Sequence, residues 1–504
     1  MALTAITADP ATAPGPRSWL ERLWASVADR GRPYAEVLRP EISASPLERS
    51  RALASALLSE RGEASGAAVA RELHTALREL GADERLAFYR FLVSDFLPDE
   101  RRLRAAIEDY LAEPTPGSAT EISEAAEPTR QELLRRMNMA PGGTAALIAM
   151  RKELLAHLRD DPFLKPLDSD LRHLLASWFN RGFLELRLID WQTPAAVLEK
   201  LIAYEAVHEI QGWDDLRRRL APDRRCFGFF HPALPGEPLI FVEVALTRGL
   251  ATAIQPLLIR NDDDVAQRDR ERAADTAIFY SISNCQEGLR GISFGNFLIK
   301  QVVEELKEEL PGLTQFSTLS PVPGFRRWLD KQFDAEDTSS LLRAGEASAL
   351  RLVAGESAQE GDVVALLRAL LGNDRWWNDG ALAEALRTPL TRLCATYLTT
   401  TTESRDGRSR RPSDPVARFH LGNGARLERV NWLGDVAPRG IRQSFGIMVN
   451  YLYDPEQIEA NHEAFVRGTI VRAPAVDALV APPDLPTSTK MSASAARTRR
   501  FHKG

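Results

Sequence analysis

Through the first third of the chain, apolar residues recur three or four positions apart, the period of one face of a helix. Trp19, Leu20, Leu23 and Trp24 follow it, and so do Leu133, Leu134 and Met137. From Ser18 to about Asp190 the pattern is helical throughout, with no strand-like run. The stretch Glu113-Pro-Thr-Pro-Gly-Ser-Ala-Thr120 interrupts it, and its prolines and glycine predict an exposed linker between two helical halves.

Past Gly212 the pattern shortens to β-rich runs divided by turns: Cys226 to Phe230, Leu239 to Leu246, Ala277 to Ser283 and Leu313 to Leu319. Between the last two, Phe297 to Leu310 sets Leu298, Ile299, Val302, Val303, Leu306 and Leu310 on one helical face, with Lys300, Glu304, Lys307 and Glu308 outside. That is strand, helix, strand. A further helical region runs from about Leu341 to Thr400, and Val416 to Trp432 reads as two strands around the tight-turn signal Gly422-Asn423-Gly424. The chain therefore divides into a flexible start (1–17), a helical segment (18–190), an α/β segment (191–481) and a tail (482–504). The tail's Pro, Ser, Thr, Ala and basic residues predict disorder.

Composition changes this picture little. At 504 residues the chain exceeds the ~250–300 at which one core usually splits, in keeping with two domains. A net charge of -6 argues against nucleic acid or an anionic membrane as the main partner, leaving room for a local basic patch. Cys226, Cys285 and Cys394 lie too far apart for a metal-ligand cluster or a disulfide framework, which fits a reducing compartment. There is no apolar run of about 18 residues, the first 17 residues lack a secretory pattern, and the ending RTRRFHKG is not a peroxisomal signal. The expected location is cytoplasmic.

Three segments carry candidate chemistry. Gln286-Glu-Gly-Leu-Arg-Gly-Ile-Ser-Phe-Gly295 follows a strand and opens the amphipathic helix, where backbone N–H groups and the helix dipole suit a pyrophosphate. A plain strand-to-helix turn reads the same on spacing alone. It is not a P-loop, since no Gly-Lys-Ser/Thr follows, and the spacing is not that of a dinucleotide site. In Phe316-Ser-Thr-Leu-Ser-Pro-Val-Pro-Gly-Phe325, proline restricts the residue before it and so preorganises the hydroxyl of Ser320, either for chemistry or for the turn itself. In Asp414-Pro-Val-Ala-Arg-Phe-His-Leu-Gly-Asn-Gly-Ala425, His420 sits on an apparent strand edge and can exchange protons near neutral pH, or it is structural.

Together these segments resemble the malonyl-CoA decarboxylase family from about Asp161 to Tyr453. The stretches that carry the resemblance begin with Leu171-Arg-His-Leu-Leu-Ala-Ser-Trp-Phe179, Pro235-Gly-Glu-Pro238 with Val244-Ala-Leu-Thr247, and Ala277-Ile-Phe-Tyr-Ser-Ile-Ser283. They continue with Phe297-Leu-Ile-Lys300, Leu319-Ser-Pro-Val-Pro-Gly-Phe325, Thr388-Pro-Leu-Thr-Arg-Leu-Cys394 and Phe419-His-Leu-Gly-Asn-Gly424. The resemblance implies an α + α/β fold: an all-helical oligomerisation domain followed by a catalytic domain like the acyl-CoA N-acyltransferases (GNAT). It implies that malonyl-CoA contacts Arg290, Gly291, Ile292, Ser293, Phe294, Gly295, Asn296, Ser320, His420 and, less directly, Tyr453. Ser293 stands where the pyrophosphate motif has a glycine, and animal members carry a glutamate there, so no role for that glutamate transfers.

The implied reaction turns malonyl-CoA into acetyl-CoA and carbon dioxide through a thioester enolate. Ser320 and His420 form the acid/base pair, and neither a metal nor an organic cofactor is required. Such a site must stabilise charge on the thioester oxygen and then protonate the α-carbon. Two rivals use the same segments: an acyl-CoA-dependent N-acyltransferase, which would need a groove for an amine, and a non-catalytic acyl-CoA sensor or scaffold. Retention of both Ser320 and His420 favours decarboxylation.

Overall fold

The computed structural model describes residues 45–481 apart from 260–262, 293–297, 356–361, 374 and 404–409. The expectations for Trp19 to Trp24 and for a disordered 482–504 tail fall outside the described residues. By density of contacts the chain forms two units. The first runs to Ala245 and includes Arg260–Glu271 and Ser281–Leu310, and the second holds Leu246–Ile259, Arg272–Tyr280 and everything from Pro311 onward.

Among the described residues the first unit begins with eight helices: α1 (Pro46–Leu57), α2 (Glu60–Glu79), α3 (Ala82–Asp95), α4 (Glu100–Ala112), α5 (Pro116–Ala125), α6 (Thr129–Asn138), α7 (Gly143–His157) and α8 (Lys165–Trp178). Ser45 starts α1 with a reciprocal cap to Glu48. The apolar stripes meet in a core that includes Leu73, Phe88, Leu92, Leu133, Leu134, Met137, Leu147, Leu154, Leu171 and Leu175.

Two sequence expectations are corrected here. The segment 113–120 is not a linker, because Thr115 caps α5 and Pro116 occupies its first position, where the missing N–H of proline leaves no bond unmade. The helical pattern also does not extend to Asp190. Glu185–Ile189 is a strand (β1), paired antiparallel with β2 (Arg224–Phe230) from Glu185↔Phe230 to Ile189↔Cys226.

β2 pairs antiparallel in turn with β3 (Pro238–Thr247). β4 (Thr276–Asn284) leads through a loop to α9 (Leu298–Glu309), whose inner face buries Leu298, Ile299, Val302, Val303 and Leu306. β5 (Gln315–Thr318) then lies parallel to β4, with Ile278 opposite Ser317, so the expected strand, helix and strand form a parallel crossover.

In the second unit, β5 is followed after one residue by β6 (Ser320–Pro321). After them come the hairpin β7 (Thr401–Glu403) and β8 (Arg410–Pro412), and then β9 (Arg426–Asn431) and β10 (Met448–Tyr453). β10 pairs antiparallel with β5, β6 and β9, placing Tyr453 opposite Phe316 and Val449 opposite Ser320. The helix α10 (Gly380–Thr399) packs Leu386, Leu390, Leu393 and Leu398 into the core. The expected hairpin at 416–432 is corrected: Pro415–Gly422 is a helix (α11), and only β9 is a strand. Asp414 and Pro415 start the helix, and Gly424, at a φ of 82°, lies so close to Ile458 that a Cβ would fall 2.2 Å from its carbonyl oxygen. Among the described residues no helix is long and apolar enough to cross a membrane.

Candidate active site

Ser320, His420 and Tyr453 meet in the second unit. Ser320 opens β6 in the extended conformation that a following proline favours. His420 lies in the last turn of α11 and Tyr453 ends β10. Each is at most 5% exposed. His420 Nε2 is 3.1 Å from Ser320 Oγ, and its Nδ1 is 2.8 Å from the Tyr453 hydroxyl. The imidazole stacks on the Tyr451 ring at 4.8 Å.

Thr318 sets the direction of this chain. It precedes Ser320 by two residues on extended backbone, so both side chains emerge on one face. Ser320 donates its hydroxyl proton to Thr318 Oγ1 at 2.9 Å, and the Tyr451 N–H donates to the same oxygen at 3.2 Å. Ser320 is then left as acceptor toward His420, whose proton sits on Nε2, and Nδ1 accepts from Tyr453. Burial alone lowers the His420 pKa to about 3, so the ring is neutral at pH 7. Burial raises the Tyr453 hydroxyl well above the usual phenol range, so it keeps its proton to donate.

The elements around the cluster fix it. Asp414 caps α11, its Oδ1 accepting from Val416 and Ala417 N–H at 2.9 Å each and its Oδ2 from the Tyr397 hydroxyl at 3.2 Å. Burial raises the pKa of this carboxyl. Asn450 Nδ2 donates to the Thr318 carbonyl at 2.7 Å, while its Oδ1 accepts from Asn431 at 2.8 Å.

The loop after β4 belongs to the first unit. Glu287–Leu289 form a single 3-10 turn, Leu289 and Ile292 are buried, and Arg290 and Gly291 are exposed, with Gly291 at a φ of 80°. Ser293, Phe294, Gly295 and Asn296 lie outside the described residues. Among the described residues no group of three or more His, Cys, Asp or Glu side chains could hold a metal ion.

The profile of the "Malonyl-CoA decarboxylase C-terminal domain" matches residues 182–491, and that of the "Malonyl-CoA decarboxylase N-terminal domain" matches residues 96–179. The chain belongs to the malonyl-CoA decarboxylase family. Within that family it is 37% identical over 422 residues to the mitochondrial malonyl-CoA decarboxylase of Anser anser anser, covering 82% of this chain and 80% of that protein. Crystal structures of malonyl-CoA decarboxylases from Rhodopseudomonas palustris and Agrobacterium vitis align with a TM-score of 0.75 each, at 51% and 49% identity. Both alignments cover 86% of this chain, with 99% and 100% of those chains. The enzyme is a decarboxylase, and its helical N-terminal segment followed by a mixed-sheet segment is the expected fold class.

The sequence reading of this malonyl-CoA decarboxylase family member missed Thr318, Asp414 and Arg151. Thr318 had a signal, the two-residue spacing from Ser320 on a strand. Asp414-Pro415 had one too, as a helix start. Arg151 had none, because the loop carbonyls it binds lie 137 and 139 residues away.

Proposed function

We propose that the chain converts malonyl-CoA to acetyl-CoA and carbon dioxide, with Ser320 and His420 as the acid/base pair, Tyr453 behind them, and Arg290–Asn296 holding the CoA diphosphate. One observation carries this reading: the buried chain of hydrogen bonds from Tyr453 through His420 and Ser320 to Thr318 in a member of this family.

Loss of carbon dioxide from the malonyl carboxylate leaves its electron pair on a thioester enolate. The α-carbon then takes a proton from this chain, whose last two donors are the Nε2–H of His420 and the hydroxyl of Ser320. Because His420 is neutral, the site is left one proton short after the transfer. Solvent returns that proton, which is the one the overall reaction consumes. The dry surroundings that hold His420 neutral also weaken hydration of the substrate carboxylate and favour its loss. A homo-oligomer built on the helical segment and a cytoplasmic location belong to the same reading.

The test is release of acetyl-CoA and carbon dioxide from malonyl-CoA by the purified enzyme, alongside Ser320→Ala and His420→Ala. The expected result is turnover by the parent and at least about a 100-fold loss of kcat in each variant. Full activity in folded variants sinks the acid/base assignment. A folded parent that binds malonyl-CoA without turnover sinks the reaction and supports a sensor.

A further inference from the structure

Among the buried arginines of the first unit, which include Arg218, Arg219 and Arg224, Arg151 is the one that holds a loop carrying candidate chemistry. It sits near the middle of α7 and is only 2% exposed, a rare setting for a guanidinium. Its Nε donates to Asp168 Oδ1 in the first turn of α8 at 2.8 Å. Its Nη1 donates to two backbone carbonyls of the loop after β4, Gly288 O at 2.6 Å and Arg290 O at 3.0 Å. Asp168 orients the guanidinium, and the guanidinium holds the loop.

The backbone is fitted to this grip. Gly288 lies against α7 so closely that a Cβ would fall 2.1 Å from the carbonyl oxygen of Ile148, so only glycine brings its carbonyl to Arg151. Within the loop the N–H groups of Leu289, Arg290 and Ile292 turn back onto Gln286, Glu287 and Leu289. In a trans peptide the C=O and N–H point in opposite directions. With the Arg290 carbonyl drawn inward to Arg151, the Gly291 N–H faces away from it, at an exposed glycine beside the exposed Arg290.

We infer that Arg151 is a positioning residue for CoA binding: from the N-terminal helices it fixes the loop peptides so that the Gly291 N–H and the Arg290 side chain are presented to the diphosphate of the substrate. Arg151 does not touch substrate in this account. It acts on affinity for the nucleotide end of CoA and leaves the chemistry at the thioester alone. The inference rests on the reading of this loop as the CoA-binding segment.

Malonyl-pantetheine separates the two ends, since it carries the same thioester without the diphosphate. Steady-state kinetics with malonyl-CoA and malonyl-pantetheine would be compared for the parent, Arg151→Met and Asp168→Asn, each checked for an intact cooperative thermal transition. The parent is expected to have a lower KM for malonyl-CoA. Arg151→Met should raise that KM by about tenfold or more, with kcat within about twofold and malonyl-pantetheine unaffected. Asp168→Asn should move it in the same direction by less, and it decides the matter if Arg151→Met does not fold. Equal impairment with both substrates, or none with either, overturns the role of Arg151. A parent that handles both substrates with the same KM overturns the loop reading itself, and this inference with it.

Discussion

His420 is a histidine made unlike one in water. Its neutral ring accepts from Tyr453 on one nitrogen and faces Ser320 with the other, and the absence of charge is what burial enforces. The unfolded chain binds a proton at His420 below about pH 6.5, whereas the folded chain does so only near pH 3. The contribution of this residue to stability is therefore intact above about pH 6.5. It is lost as pH falls from there, by up to ~1.4 kcal/mol per pH unit. Unfolding free energies measured from about pH 7 to 4.5 should fall less steeply in His420→Asn than in the parent. The same cause keeps kcat/KM free of an acidic limb near pH 6.5, which a pH–rate profile checks. A fall with an apparent pKa of 6 to 7 that vanishes in a His420 variant would contradict the neutral ring.

At the scale of the element, α11 carries His420, and Asp414 caps its start. Asp414→Ala removes a cap worth ~1 kcal/mol and leaves the buried Tyr397 hydroxyl without its acceptor, a further ~1–3 kcal/mol. Denaturant unfolding should register the sum and kcat should fall with it, while Asp414→Asn should recover the capping part only, since its side-chain oxygen still caps but its amide nitrogen cannot accept from Tyr397. The strand, helix and strand around α9 were legible because a one-sided apolar stripe between two short β-rich runs has few other solutions. The helix that carries His420 was not, because eight residues are too few for a period to declare itself and the glycines after it imitate a hairpin turn. Ser320 and His420 were each legible as candidates, but their hydrogen bond spans 100 residues and becomes visible only when β6 and α11 are packed. Arg151 was invisible for the same reason in stronger form, since in one dimension it is one more polar residue in an amphipathic helix.

Over the whole molecule, each of the two units holds cysteine. Cys226 and Cys285 are buried in the first unit and Cys394 in the second, all as free thiols. Burial pushes the thiol of each above its ordinary range, which suppresses the thiolate that reacts with alkylating reagents. The native enzyme should therefore be nearly inert to iodoacetamide at pH 7.5. Under mild denaturant, mass spectrometry of the alkylated sites should show Cys226 and Cys285 gaining label on one schedule and Cys394 on its own, unless the chain opens all at once. Rapid labelling of any of the three in native buffer would contradict their burial. Its three inaccessible sulfurs thus equip the protein with built-in clocks, one set in each unit, that start only when that part of the chain comes apart.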